Sequence, residues 1–270
     1  HKTLLTSVSL DNIALLACNP SIGGTAKGHL VREIDALGGE MGLAADEACL
    51  QLRMLNKGKG AAVQSLRSQT DKYFYHSAMK RRLESTENLD LATMEITRIL
   101  VDGGKVCGVM NNYDERYIAG AVIVACGVYL KSEIITGEYR KSSGPSGFSS
   151  ADSLSQSLTD LGLNLRRFKT GTPARADGRT LDYSKMERQS GDSDIYSFSF
   201  LNPPLNKEQM PCYLTYTTEE THNLIRANLD RAPMYSGGIK GKGPRYCPCI
   251  EDKVVRFADK TRHQVFIEPE

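Results

Sequence analysis

The sequence predicts an α/β fold of the dinucleotide-binding kind, with a β-meander inserted before its last core strand. Three observations carry that prediction. Strand and helix patterns alternate through the first third of the chain. A glycine-rich loop, "CNPSIGG" (18–24), runs into a helical pattern. A continuous apolar run, "AVIVAC" (121–126), is bounded by Gly127 and suits a parallel strand buried on both faces.

The first strand is expected from Lys2 to Thr6. Asn-Pro and Gly-Gly punctuate the loop after it. In "TAKGHLVREIDALGG", Leu30, Ile34 and Leu37 recur at helical spacing, and Gly38-Gly39 supplies the stop. "LQLRML" (50–55) reads as a strand, "NKGKG" as a basic loop, and about Ala62 to Leu83 as one long helix. Short strands follow in "NLDLATM", "ITRILVD", "VCGVM" and "RYIAGAVIVACG". Asp102-Gly103-Gly104-Lys105 has the composition of a tight hairpin, because glycine accepts positive φ. "KSSGPSGFSS" (141–150) reads as a flexible or ligand-covering loop, and about Ala151 to Leu161 as a helix. The chain is then polar from about Asp177 to Gln209, with Pro203-Pro204 inside it. "CYLTYTT" (212–218) alternates like a half-buried strand. Thr217 and Glu220 form a capping-box pattern ahead of the next helix. A last helix begins near Ile250.

Composition narrows the function. The chain has 270 residues, enough for one large domain or two ordinary ones. Hydrophobic residues make up 40% and charged residues 24%, so a packed core is expected. A formal charge of +2 from 34 basic and 32 acidic side chains does not mark a nucleic-acid binder as a whole. No apolar run approaches the roughly 18 residues of a membrane span, and no signal-peptide pattern opens the chain. Seven cysteines at scattered positions fit a reducing cytoplasm better than a secreted disulfide framework. Cys107 and Cys126 read as small apolar residues in buried strands. The chain opens on "HKTLLTS", with no start methionine, and closes on "HQVFIEPE" as another strand forms; a fragment of a longer protein is expected.

Chemistry concentrates in "RYCPCIEDK" (245–253). Cys247 and Cys249 are too close for a zinc knuckle, and the five histidines form no metal-binding pair. A disulfide between them would close a strained ring around a φ-locked proline. Lys240, Lys242 and Arg245 lie just upstream, and cations lower a thiol pKa. A glycine-rich lead-in to a helix is also how phosphates are held. The stretch reads as a nucleotide site, a nucleophile, or both. The Cys18 loop has the same grammar: Asn19, Gly23 and Gly24 offer backbone groups, and Lys27 follows, for an anion such as a pyrophosphate. No G-x-G-x-x-G and no G-x-S-x-G occurs. Basic clusters at Lys57/Lys59, Arg166/Arg167/Lys169 and Lys240/Lys242/Arg245 read as solvated faces or as contacts for an RNA backbone.

"GPRYCPCIEDKVVRF" (243–257) resembles the signature of the MnmG/GidA family, flavin-dependent tRNA uridine 5-carboxymethylaminomethyl modification enzymes. "CNPSIGGTAKGHLVREIDALGG", "LNKGKGAAV", "KTGTPAR", "PCYLTYT" and "NLDRAPMYSG" are similar in order along the chain. The resemblance implies a Rossmann-like FAD-binding domain with a β-meander over residues 1–170. It implies an inserted α+β NAD-associated domain over residues 171–270, running back toward the first at its end. It implies a cytoplasmic homodimer working with the GTPase MnmE on tRNA. Together they would add a carboxymethylaminomethyl or aminomethyl group to C5 of the wobble uridine. Methylene-tetrahydrofolate would supply the carbon, FAD would carry it, and NADH would reduce the flavin.

By position, Cys18 and Cys247 match the family's two implicated cysteines. Cys247 is expected as the nucleophile that adds to uridine C6, and Cys18 in a supporting or proton-transfer role. Ile96, Gly127 and Ala151 match flavin contacts. The stretch matched to NAD is Gly243, Pro244, Arg245, Tyr246, Cys247, Pro248, Cys249, Ile250, Glu251, Asp252, Lys253, Val254, Val255, Arg256 and Phe257. Cys249 and Ala151 stand where the family has serine, and Cys249 is expected to be a packed replacement. The family's phosphate fingerprint, its later glycine-rich FAD motif and its C-terminal region that meets MnmE have no counterpart in these residues. The chain alone is therefore expected to bind FAD poorly. A general flavin–thiol oxidoreductase and a non-catalytic tRNA- or partner-binding module are the alternatives.

Overall fold

The computed structural model describes residues 1–194, 197–239 and 249–270. In chain order the strands are β1 (Thr3–Ser7), β2 (Ser21–Gly23), β3 (Cys49–Leu55), β4 (Ser65–Thr70), β5 (Leu89–Thr93), β6 (Ile96–Asp102), β7 (Lys105–Asn111), β8 (Arg116–Ile118), β9 (Glu133–Thr136), β10 (Tyr139–Ser142), β11 (Glu187–Gln189), β12 (Cys212–Tyr216) and β13 (Gln264–Ile267). The helices are α1 (Gly28–Ala36), α2 (Met41–Glu47), α3 (Lys72–Ser85), α4 (Asp152–Asp160), α5 (Glu219–Arg226) and α6 (Ile250–Arg256). The chain divides into two compact units. One comprises His1–Ile13, Thr86–Gly171 and Leu224–Asp252; the other comprises Ala14–Ser85, Thr172–Asn223 and Lys253–Glu270.

In the first unit β1 and β5 pair in parallel, β6-β7-β8 form an antiparallel meander, and β9-β10 form a hairpin. The expected turn at Asp102–Lys105 closes β6 onto β7, with Gly103 at φ +53° and Gly104 at φ +78°. Helix α4 packs on β6, where Ser157 Oγ accepts the Ile99 N–H at 3.0 Å. The serine-rich loop at 141–150 is stitched rather than loose. Ser150 Oγ accepts the Ser132 N–H at 2.7 Å, and the buried Ser143 hydroxyl donates to the carbonyl of Phe148 at 3.2 Å.

The second unit holds two antiparallel sheets, β2-β4-β3 and β11-β12-β13, with α1, α2 and α3. Strand β3 alternates: Leu52 turns into a core with Ile22, Val31, Ala44, Leu66, Tyr75 and Phe198. Two buried carboxylates fasten the polar segment that crosses this core. Asp46 accepts the N–H groups of Phe198 and Ser199 at 2.5 and 2.8 Å and the Asn202 amide at 2.8 Å. Asp35 accepts the Ser199 hydroxyl and the Phe200 N–H.

Four sequence expectations change. The long helix from 62 to 83 is a short 3-10 turn, strand β4 and then α3. The alternation from Ser65 to Thr70 is used for pairing on both edges, with β2 and with β3. On α1, Leu30, Ile34 and Leu37 face outward, at 56%, 41% and 90% exposure. Gly28, Val31 and Asp35 face inward, because the Asp35 carboxylate is needed there. "AVIVAC" forms no strand, and Ile123 is 90% exposed. A parallel strand requires a hydrogen-bonded neighbour, and none among the described residues pairs with this run. The reciprocal cap of α5 is made by Thr218 and Thr221, not Thr217 and Glu220. Thr217 Oγ1 is instead 2.7 Å from His222 Nε2.

Candidate functional site

Cys18 lies in the second unit, half-buried, on the loop leading into β2. Side chains far away in sequence hold that loop. Arg175 Nη2 donates to the Cys18 carbonyl at 2.6 Å, and its Nε pairs with Glu270 at 2.8 Å. Asn19 Nδ2 donates to Glu268 at 2.7 Å, and the other oxygen of Glu268 pairs with Arg67 at 2.6 Å. Gln69 Nε2 reaches Asn19 Oδ1 at 3.4 Å and the Pro269 carbonyl at 2.8 Å. The Pro20 carbonyl accepts both the N–H and the hydroxyl of Thr70 at 2.8 Å. Cys18 is thus fixed by backbone bonds and charge-assisted contacts on each side.

The glycines after it serve the fold. The Gly24 N–H donates to the Leu66 carbonyl at 2.7 Å, which commits that donor to the sheet. Gly23 sits at φ +82°, and a Cβ there would lie 2.4 Å from the Leu66 oxygen and 2.8 Å from the Phe198 ring. Only glycine fits that approach. Lys27 is exposed at the start of α1.

The flavin-matched residues lie in the first unit. Gly127 takes φ +53° in a turn closed by the Tyr129 N–H on the Cys126 carbonyl at 3.2 Å. Ala151 joins the same knot: its N–H donates to the Tyr129 carbonyl at 2.8 Å, and its carbonyl accepts from Lys131 at 3.3 Å. Gly127 and Ala151 thus both adjoin Tyr129. Ile96 opens β6, half-buried and opposite Asn111. Cys126 is half-buried and outside any strand, with burial pushing its thiol pKa up.

Of the stretch matched to NAD, Gly243 to Pro248, with Cys247, lies outside the described residues. Cys249 is described, half-buried, with Lys169 Nζ 2.7 Å from its sulfur. Lys169, expected on a solvated face with Arg166 and Arg167, is instead only 9% exposed. Helix α6 follows; its Asp252 is buried and accepts the Tyr235 hydroxyl at 3.1 Å, and Val254 is 1% exposed.

Sequence reading missed Arg175, Glu268, Glu270 and Arg67 as the side chains that brace the Cys18 loop. They lie between 49 and 252 positions from it, and no local pattern links them. Arg175 lies in "KTGTPAR", and Glu268 and Glu270 lie in "HQVFIEPE", but neither stretch carries a local sign of contact with the Cys18 loop.

Known proteins place the chain. The family model described as Glucose inhibited division protein A matches residues 1–270. The tRNA uridine 5-carboxymethylaminomethyl modification enzyme MnmG of Clostridium botulinum (strain Loch Maree / Type A3) is 57% identical over 269 residues, covering 100% of this chain and 43% of that protein. The MnmG of Heliobacterium modesticaldum is 55% identical, covering 100% and 42%. The crystal structure of Aquifex aeolicus GidA, form I, superposes with a TM-score of 0.91 at 47% identity, covering 100% of this chain and 46% of that one. The chain thus spans less than half the length of these relatives. With parallel and antiparallel sheets arranged as in that structure, and the family model matched from first residue to last, the chain belongs to the Glucose inhibited division protein A family.

Proposed function

We propose that the protein containing this chain modifies C5 of a uridine in tRNA. The carrying observation is the 57% identity, across the whole chain, to a protein named as a tRNA uridine 5-carboxymethylaminomethyl modification enzyme. Residues 1–170 are assigned to a Rossmann-like FAD-binding domain and 171–270 to an inserted NAD-associated domain. The working form is a cytoplasmic homodimer with the GTPase MnmE and its tRNA. No helix among the described residues is long and apolar enough to cross a membrane.

Gly127 supports the flavin reading. Gly127 is exposed at φ +53°, and nothing comes closer than 3.9 Å to where its Cβ would lie, so a cofactor can approach that backbone. Bound FAD, reduced by NADH, would supply the redox chemistry and carry the one-carbon unit from methylene-tetrahydrofolate. Ile96, Gly127 and Ala151 would hold FAD. Residues 243–257 would hold NADH.

Cys247 is assigned to attack uridine C6. Forming the S–C6 bond moves the C5=C6 π electrons to C5, which then attacks an electrophilic carbon. Loss of the C5 proton and expulsion of the thiolate restore the ring. Cys18, on a loop held by Arg175 and Asn19, is assigned the supporting or proton-transfer role.

The test is nucleoside analysis of tRNA from cells that lack the gene. Loss of the C5-modified wobble uridine, restored by the intact gene, is expected. An unchanged nucleoside profile would refute the reading.

A further inference from the structure

The two sheets of the second unit enclose a cavity of about 590 Å³, within the usual range of about 300 to 1,000 Å³ for ligand pockets. Facing sheets ordinarily meet through apolar side chains. Here the odd-numbered positions of β3 and β4 turn Gln51, Arg53, Arg67 and Gln69 into the gap. Opposite them stand Gln189, Cys212, Tyr216 and Phe266.

Arg53 and Arg67 are direct cross-strand neighbours, a repulsive placement unless each is compensated. Arg67 is compensated by Glu268 at 2.6 Å. Arg53 reaches only a neutral acceptor among the described residues, Gln189 Oε1, at 3.2 Å. Most of its five donors are left for something else. Glu187, at the exposed edge, supplies an acceptor and, among the described residues, is engaged only by Gln189 Nε2 at 2.6 Å. Arg262 stacks on one face of Tyr216, its guanidinium carbon 4.1 Å from the ring centre, and Phe266 is 46% exposed beside the opening.

A guanidinium, a carboxylate and aromatic walls match one kind of ligand: a flat ring whose edge presents a carbonyl beside an N–H. We propose that this cavity is a uracil-binding pocket, with Arg53 on a ring carbonyl, Glu187 on the ring N–H, and Phe266 against the ring face. The inference rests on the uridine-modifying function proposed above and gives it a place for the base. The pocket adjoins the Cys18 loop through Glu268, which bridges Arg67 to Asn19.

The test is calorimetric titration of the intact gene product with uridine 5′-monophosphate and cytidine 5′-monophosphate. Cytosine replaces the ring N–H and its neighbouring carbonyl with an acceptor and an amine. Uridine monophosphate should bind about ten-fold tighter than cytidine monophosphate, and Arg53→Gln should weaken it by about the same factor. Phe266→Ala, at a position 46% exposed, should also weaken it. No uridine monophosphate binding, equal binding of the two nucleotides, or an Arg53→Gln protein of unchanged affinity would overturn the proposal. The tRNA nucleoside profile reports separately. Modified tRNA with no uridine monophosphate binding removes the pocket and keeps the function; unmodified tRNA with Arg53-dependent binding does the reverse.

Discussion

One polar segment of the second unit, around Phe198, is buried, and one apolar run of the first, around Ile123, is exposed. Around Phe198, a serine-rich segment crosses a core because Asp35 and Asp46 satisfy its backbone and hydroxyl groups. Around Ile123, a run that reads as a strand buried on both faces lies open in the residues described. Hydropathy reports what a segment would gain by burial. Whether it is buried depends on whether partners exist for its backbone and side chains.

Substitutions can break or sharpen that contrast. Phe198→Ala should have the largest effect, about 3–5 kcal/mol, because the ring is fully buried and its removal leaves a cavity. Amide exchange of β3 and β4 against urea would measure it; a loss under about 1 kcal/mol would show that the core does not depend on the crossing segment. Asp46→Asn should cost about 1.5–3 kcal/mol by weakening three hydrogen bonds to a buried charge. Gly23→Ala, forced into positive φ against the Leu66 carbonyl, should cost about 1–3 kcal/mol in the same assay. Ile123→Ser in the chain as described should stay within about 0.5 kcal/mol, since the side chain is 90% exposed.

Thiol titration extends the contrast to chemistry. Burial, with Glu268 nearby, pushes the Cys212 thiol up to about 11. Its folded value lies above its unfolded one, so it favours folding below the ordinary thiol range, and that contribution is lost as pH rises toward about 11. At pH 8 Cys212 should resist alkylation until the second unit unfolds. Peptide mapping that finds rapid labelling of Cys212 in the native protein would contradict this.

Much of the fold was legible because local rules decide it. The hairpin at Gly103-Gly104, strand β3, α4 and the start of α6 follow from turn chemistry and periodicity. The 62–83 segment was misread because a helical and an extended pattern overlap in "VQSLRSQTD", and pairing of β4 on both edges decides between them. Leu30, Ile34 and Leu37 have helical spacing but lie on the outer face of α1, since Asp35 claims the inner one. At the candidate site Cys18 was legible as a cysteine in a glycine-rich loop, whereas Cys247 lies outside the described residues. Arg175, Glu268 and Glu270 were not legible, because their role exists only once the chain has folded back on the Cys18 loop.

The measurement that bears most directly on the account is the tRNA nucleoside profile of cells carrying Cys18→Ser in the intact gene. The account predicts loss of the C5-modified uridine, with flavin content and unfolding of the purified variant unchanged. Full modification by that variant would contradict it, because the braced loop would then be holding a residue that the chemistry does not use.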